Sequence, residues 1–465
     1  MKSSGLRGIA VGAMPALAIV LLHPGTAGAA VTGLEANVTA GVLSVTSGGG
    51  LADKVNVLGP LAASGGTYIA VVSDDAGQVV PGTGCEAVDR YQIVCDAPAI
   101  TRIEVSSGAG NDRVVTDVTI PVTVHGGDGD DQLTDRAGGN ELSGDTGSDW
   151  LYGGAGDDRL SGGDGGDQIH GEAGDDTMDG GAGTDFFVAG FDLDGTDVLR
   201  GGDGDDYADY SRRSAPVTVT LDGIADDGSA GENDVLSGIE SVRAGSGDDR
   251  LAGDDEANTL DGGAGNDRIV GLGGDDSLYG DRGDDAVEGG AGADSLAGGL
   301  GRDTVLGGAG DDYLSVGEHP GEGLDLEPDR YDGGAGRDRL SYSWTSRAVT
   351  VTLDGLANDG KAGENDNAVA IEDISGTNYD DVLIGDGGDN RITGEAGKDV
   401  IDGGAGVDDL NGGPGRDTLR SVDGAGSRDR VEGGYPWDTR KDDDTCEADA
   451  DDLVFACANE VIVQP

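Results

Sequence analysis

The chain has 465 residues, of which 91 are Gly and another 91 are Asp or Glu, against 29 Lys and Arg, giving a formal charge of −62. Twelve Pro are too few for a collagen, the anionic field repels nucleic acid, and 4% aromatic residues fall short of a conventional enzyme core. Low hydrophobicity with this much charge reads as disorder unless something periodic organises it.

Lys2 and Arg7 precede the apolar run Ile9 to Leu22, and small residues including Ala27 and Ala29 come after it. This order is that of a secretory signal peptide, here residues 1–29 with cleavage before Ala30. The run is short for a membrane span and is interrupted by Gly12 and Pro15. The expectation is a secreted, extracellular chain with no integral membrane segment after signal removal.

Residues 30–106 alternate Val, Thr and Ser between Gly-rich turns, which predicts a small N-terminal antiparallel β-domain. It holds Cys85 and Cys95; the remaining cysteines, Cys446 and Cys457, lie in the tail at 433–465. Four cysteines allow three connectivities. Local pairing is favoured, because neither CxxC nor Cys/His zinc spacing occurs, and each closed loop would contribute roughly 2.5–3 kcal/mol. Val114 opens a degenerate repeat block with Asp112 at its sixth place, so the β-domain is expected to cap the repeats that begin there.

From Gly126 the chain falls into nine-residue blocks such as GGDGDDQLT, GGAGDDRLS and GGDGGDQIH. A large apolar residue recurs at position eight: Leu133, Leu142, Leu151, Leu160, Ile169, Met178 and Phe187 in the first run. It recurs at Leu251, Leu260, Ile269, Leu278, Val287, Leu296, Val305 and Leu314 in the second, and at Leu383, Ile392, Ile401, Leu410 and Leu419 in the third. A period of nine fits neither a helix nor a flat sheet. Glycines at positions one, two and four permit a tight turn with positive φ. The Asp at position six is a hard anionic oxygen suited to a cation held in that turn. Positions seven to nine are a very short strand with one inward side chain, which only stacking can bury.

These blocks resemble the hemolysin-type, or RTX, calcium-binding repeats, whose consensus is G-G-x-G-x-D-x-U-x. The resemblance implies an all-β fold, a right-handed parallel β-roll in several arrays, with two blocks per coil and Ca2+ between turns two blocks apart. The metal ligands it implies are Asp131, Asp149, Asp158, Asp167, Asp176 and Asp185 in the first run. In the second they are Asp249, Asp267, Asp276, Asp285, Asp294, Asp303 and Asp312, and in the third Asp381, Asp399, Asp408 and Asp417. Looser single blocks add Asp197, Asp206 and Asp338. On the order of 14 Ca2+ ions would be held, bringing the formal charge to roughly −34. Without them, carboxylates repel across a thin core, so metal is expected to drive folding. The second block of each run departs from the consensus with Asn140, Asn258 or Asn390, which suggests a weaker site or a capping coil, the latter being favoured.

A longer repeat interrupts the arrays. Tyr210 to Asp249 returns as Tyr342 to Asp381, with VTVTLDG and GEND in both copies. VTVTL reads as a half-buried strand, and the loop bearing Asp222, Asp226, Asp227, Glu232 and Asp234 as a further chelator or a solvated loop. The expected organisation is therefore array 1 at 107–209, a spacer cassette at 210–243, and array 2 at 244–315. An insertion loop at 316–331, a single block at 332–341, a second cassette at 342–375, array 3 at 376–432 and the disulfide-stapled tail at 433–465 complete it.

No catalytic constellation emerges. His125, His170 and His319 lie outside any HExxH, no Ser sits in GxSxG, and Arg282-Gly283-Asp284 falls inside a turn. The reading is a secreted calcium-binding protein with a structural or surface-interaction role. The alternatives are an exported enzyme or a toxin with calcium-stabilised repeats. Calcium ions are the expected partners; a protein or cell-surface partner is not identifiable from the sequence.

Overall fold

The computed structural model describes residues 34–47, 54–63, 66–73, 79–97, 100–190, 194–316, 327–423, 427–434 and 443–463. The signal-peptide segment, His319 and most of the insertion loop lie outside them. The described residues form short β-strands and no α-helix. They divide into two compact units, one drawn from Met1–Asp209 with Glu232–Ile239, the other from Tyr210–Gly231 with Glu240–Pro465.

Each nonapeptide block contributes one strand, and successive strands alternate between two parallel sheets. In the first unit Leu142 is in register with Leu160, Leu160 with Met178, Met178 with Leu199 and Leu199 with Leu236. In the opposite sheet Leu133 pairs with Leu151, then Ile169, Phe187 and Ala208. Partners two blocks apart therefore stack directly, so two blocks make one coil of a parallel β-roll. The strand Arg159–Asp164 shows why this works: Leu160 and Gly162 face inward while Arg159 and Ser161 face out. Only one large side chain per block enters the interior, so the core is two columns of apolar residues one side chain thick.

The N-terminal domain is built into this stack. Glu35–Thr39 and Val42–Thr46 form an antiparallel hairpin, and Gly66–Ser73 pairs antiparallel with Lys54–Ala63 and with Gln92–Asp96. Cys85 and Cys95 are register partners and are joined by a disulfide. Val42–Thr46 then pairs parallel with Arg102–Ala109, and Lys54–Ala63 with Arg113–Asp117. The domain thus prolongs both sheets of the roll, the cap that the degenerate block implied.

The second unit repeats the same coil. Leu251, Ile269, Val287, Val305 and Tyr331 form one column, and Leu260, Leu278, Leu296, Leu314 and Leu340 the other. At the cassette, Val349–Thr352 folds back on Gly360–Lys361 and pairs parallel with Val382–Ile384, opening a new sheet. The opposite sheet runs through, from Arg339–Ser341 to Asp373–Ser375 to Arg391–Thr393. The tail continues the roll: Thr445–Asp449 pairs with Thr418–Ser421 and Asn459–Val463 with Thr445–Asp449. Cys446, bonded to Cys457, occupies the slot above Leu419.

Candidate metal centre

The turns between strands carry the chemistry. Gly154 and Gly156 have φ of 93° and 113°, values that other residues rarely adopt. Gly163 shows a second requirement, since a Cβ there would run into the carbonyl oxygen of Asp145 on the preceding coil. Coils are packed backbone to backbone at these points.

Within each turn the position-six Asp plays a divided role. Its Oδ1 accepts a hydrogen bond from the backbone amide of the equivalent residue one coil earlier. Asp131 donates to Asp149 at 2.7 Å, Asp149 to Asp167 at 2.7 Å, and Asp167 to Asp185 at 2.8 Å. The other edge of the first unit runs from Asn140 through Asp158, Asp176 and Asp197 to Asp234. In the second unit one edge runs from Asp249 through Asp267, Asp285, Asp303 and Asp329 to Asp366. Its opposite edge joins Asn258, Asp276, Asp294, Asp312 and Asp338. Beyond the cassette, Asp381, Asp399, Asp417 and Asp444 form one ladder, and Asn390, Asp408 and Asp429 another. Asp206 accepts from Asp185 in the same way. All twenty aspartates named from the sequence thus belong to these ladders.

The Oδ2 atoms are what the fold leaves over. Those of Asp131, Asp149, Asp158, Asp167, Asp176, Asp185, Asp267, Asp276, Asp285, Asp294, Asp312, Asp338, Asp399 and Asp408 are buried without a hydrogen-bond donor. Each lies against the first glycine of its block. A Cβ on Gly153 would be 2.7 Å from Asp158 Oδ2 and 2.8 Å from the carbonyl oxygen of Gly171, one coil on. A buried carboxylate oxygen without a donor is costly. Burial accordingly pushes Asp158, Asp167, Asp267, Asp285 and Asp399 up to about 7, and Asp149, Asp176, Asp276 and Asp312 up to about 6. Neighbouring carboxylates add to the rise. Among the described residues no three His, Cys, Asp or Glu side chains converge on one point. The donor set is therefore carboxylate plus backbone carbonyl, all hard oxygen, which fits Ca2+.

Two of the named aspartates are differently employed. Asp249 accepts from Val217 N through Oδ1 and from Gly245 N through Oδ2. Asp381 accepts from Val349 N and from both the amide and hydroxyl of Thr377. Both begin an array, and both have each oxygen occupied by the protein. Asn140 is not at an end, because Val122 N donates to its Oδ1 from the preceding coil. Its Nδ2 donates to Asp135 Oδ2 at 2.6 Å and to the carbonyls of Ala137 and Gly138, placing N–H donors where neighbouring blocks leave acceptors bare.

Sequence periodicity missed Asp234, Asp329, Asp366, Asp429 and Asp444, because insertions stretch their spacing from 18 residues to between 21 and 37. The signal that finds them is the tripeptide Asp-x-apolar, as in Asp329-Arg330-Tyr331 and Asp444-Thr445-Cys446. The acidic loop of the first cassette divides. Asp222 and Asp226 are exposed, Asp227 accepts from the amide and hydroxyl of Thr220, and Asp234 joins the ladder.

Position-five acids build a second, exposed ladder of the opposite sense. Asp157 accepts from the amide of Asp175, Asp275 from Ala293 and Asp380 from Lys398. Of the histidines, His170 stacks on Tyr152 with ring centroids 4.4 Å apart, and His125 lies 3.7 Å from Asp145 at the surface. No helix among the described residues is long and apolar enough to cross a membrane.

Comparison with curated proteins finds no match. The family model for RTX calcium-binding nonapeptide repeats matches in overlapping copies across residues 125–209, 234–318 and 371–419. Repeats of this kind bind Ca2+ at multiple sites. Period, turn glycines, buried aspartate ladder and family match coincide on the same residues: the chain carries many copies of the RTX calcium-binding nonapeptide repeat.

Proposed function

We propose that this is a secreted calcium-binding protein whose β-roll folds as Ca2+ fills its turns, and that the folded roll serves as a structural or surface-interaction element. The observation carrying this reading is the row of buried Oδ2 atoms that have no donor and lie beside glycine carbonyls. The ligand aspartates are those that the sequence names, with Asp249 and Asp381 as the two whose oxygens are already engaged. Bound calcium supplies the positive charge and oxygen coordination that these carboxylates lack. The chain's own residues set the geometry: Oδ1 is fixed by an amide, Oδ2 is turned towards the next coil, and glycine removes the Cβ that would fill the gap. Export is supported by the signal-like pattern of residues 1–29, by two disulfides and by the usual secretion of RTX repeat proteins. The family is generally structural, and its arrays here alternate with the two cassettes at 210–243 and 342–375.

The test is far-UV circular dichroism of residues 30–465, titrated with Ca2+ against a chelator, with Mg2+ as control. A cooperative gain of β-signal with Ca2+ alone is expected. A β-rich spectrum indifferent to chelator would sink metal-driven folding.

A further inference from the structure

The two spacer cassettes align residue for residue, Tyr210 with Tyr342, Asp227 with Asp359, Glu232 with Glu364 and Asp234 with Asp366. Two of their differences are reciprocal. The first copy has Arg213 and Ser229 where the second has Thr345 and Lys361. Each copy therefore keeps one buried cation, taken from a different place in the sequence. Both cations are buried, Arg213 at 3% and Lys361 at 4% exposure. Arg213 Nη1 donates to Ser229 Oγ at 2.9 Å. The guanidinium of the first copy thus reaches the position from which the ammonium of the second projects.

The surroundings of Lys361 explain the need for a cation. Its Nζ lies 2.7 Å from Glu364 Oε1, in an ion pair with side chains at 3% and 1% exposure, and its amide donates to Glu364 Oε2 at 2.5 Å. A Cβ on Gly360, whose φ is 90°, would meet both Glu364 Oε2 and Asp366 Oδ2. Asp366 Oδ2 is buried without a donor, as is the Tyr342 hydroxyl. The geometry repeats that of the array turns, a carboxylate oxygen lodged over a glycine, but here a side-chain ammonium stands beside it. Burying a cation is costly unless it answers buried negative charge.

We propose that each cassette carries a resident cation, Arg213 in the first and Lys361 in the second, and that Lys361 does beside Glu364 and Asp366 what calcium does within the arrays. The cassettes then hold their fold in calcium-free solution and act as preformed seeds from which the arrays grow when Ca2+ arrives. The seed is already docked to its array, because Val349 N donates to Asp381 Oδ1 and Val349–Thr352 pairs with Val382–Ile384. The contrast with the arrays rests on the proposed calcium-driven folding.

Amide hydrogen exchange of the full chain, with chelator and with Ca2+, tests this on three proteins: wild type, Lys361→Met, and the transplant Thr345→Arg with Lys361→Ser. In chelator, wild-type residues 342–375 should stay protected while the arrays exchange freely. Lys361→Met should lower that protection by about a hundred-fold, the scale of breaking a buried ion pair, and the transplant should restore it. Wild-type cassettes exchanging as fast as the arrays in chelator, unchanged protection in Lys361→Met, or a transplant no better than Lys361→Met would each overturn the proposal. Arrays equally protected in chelator and in Ca2+ would instead overturn metal-driven folding, a result that the Lys361 comparison does not share.

Discussion

The amide of Asp267 donates to Oδ1 of Asp285, one coil further along the chain, at 2.7 Å, while Asp285 Oδ2 is left buried without a donor. One carboxylate therefore splits its two oxygens between holding the stack and waiting for a cation. Asp285→Asn keeps an oxygen for the structural bond and removes the charge. The variant should fold in excess Ca2+, bind at least one ion fewer than wild type by native mass spectrometry, and need a higher Ca2+ concentration at its folding midpoint. An unchanged ion count would remove Asp285 from the ligand set.

Acidity should replace metal in part. Burial raises Asp158, Asp167, Asp267, Asp285 and Asp399 from the ordinary value of 3.8 to about 7, and Asp366 to about 9. The folded chain then binds more protons than the unfolded one, so these groups contribute stability that is present at low pH and lost as pH rises through 7. In chelator, β-signal should grow as the pH is lowered from 8 to 5. Calcium affinity should move the other way, weaker at pH 6 than at pH 8, because each site must first release its proton. Calcium titrations with the same midpoint at both pH values would contradict the assignment.

Replacing Gly163 should be costly, because its φ lies beyond the 69–78° that Asp145, Glu172, Leu272 and Asp281 adopt at the same block position. Gly163, with φ of 120°, abuts the carbonyl of Asp145, so Gly163→Ala combines backbone strain with a clash between coils. A loss of about 2 kcal/mol or more is expected in Ca2+-loaded protein by denaturant unfolding. Gly387→Ala is the control, since nothing lies within 4 Å of a Cβ there, and it should be neutral. Equal effects at the two positions would mean that coil spacing is not set by glycine.

The N-terminal disulfide should stabilise the cap without touching the metal sites. Cys85 and Cys95 close a loop of sequence separation 10, for which chain entropy gives about 2.5–3 kcal/mol. Replacing both with Ser should destabilise the described strands between 34 and 97 by that order in exchange experiments and leave the calcium count unchanged. A reduced ion count would show that the cap organises the first array's turns.

The sequence made the arrays legible because two constraints share one period. Leu160 must point inward every coil, and Gly153 must yield space to Asp158, so apolar residue, glycine and acid all recur at nine. Where a loop swells, the glycines lose their period first, and Asp329 and Asp366 drop out of register even though their structural bonds are unchanged. The engagement of Asp249 and Asp381 was invisible for another reason. Their second oxygens are occupied by Gly245 N and by Thr377, contacts local to one turn that the consensus letter Asp does not encode. The swap of Arg213 and Ser229 for Thr345 and Lys361 leaves no trace in a single copy; the two copies side by side expose the exchange, and the fold shows both cations buried with Arg213 reaching Ser229.

The ladders also give the roll a direction. In the buried ladder the amide sits on the earlier coil and the carboxylate on the later, so an array ends with an amide seeking an acid and begins with an acid seeking an amide. Within the second unit the cassette supplies both fittings: Asp366 receives the outgoing amide of Asp329, and Val349 offers its own to Asp381. A cassette is thus a plug and socket of fixed gender. Any stretch running from one cassette to the next can be copied in tandem without leaving a mismatched junction, so duplication can lengthen such a protein while every new coil finds its chemical complement.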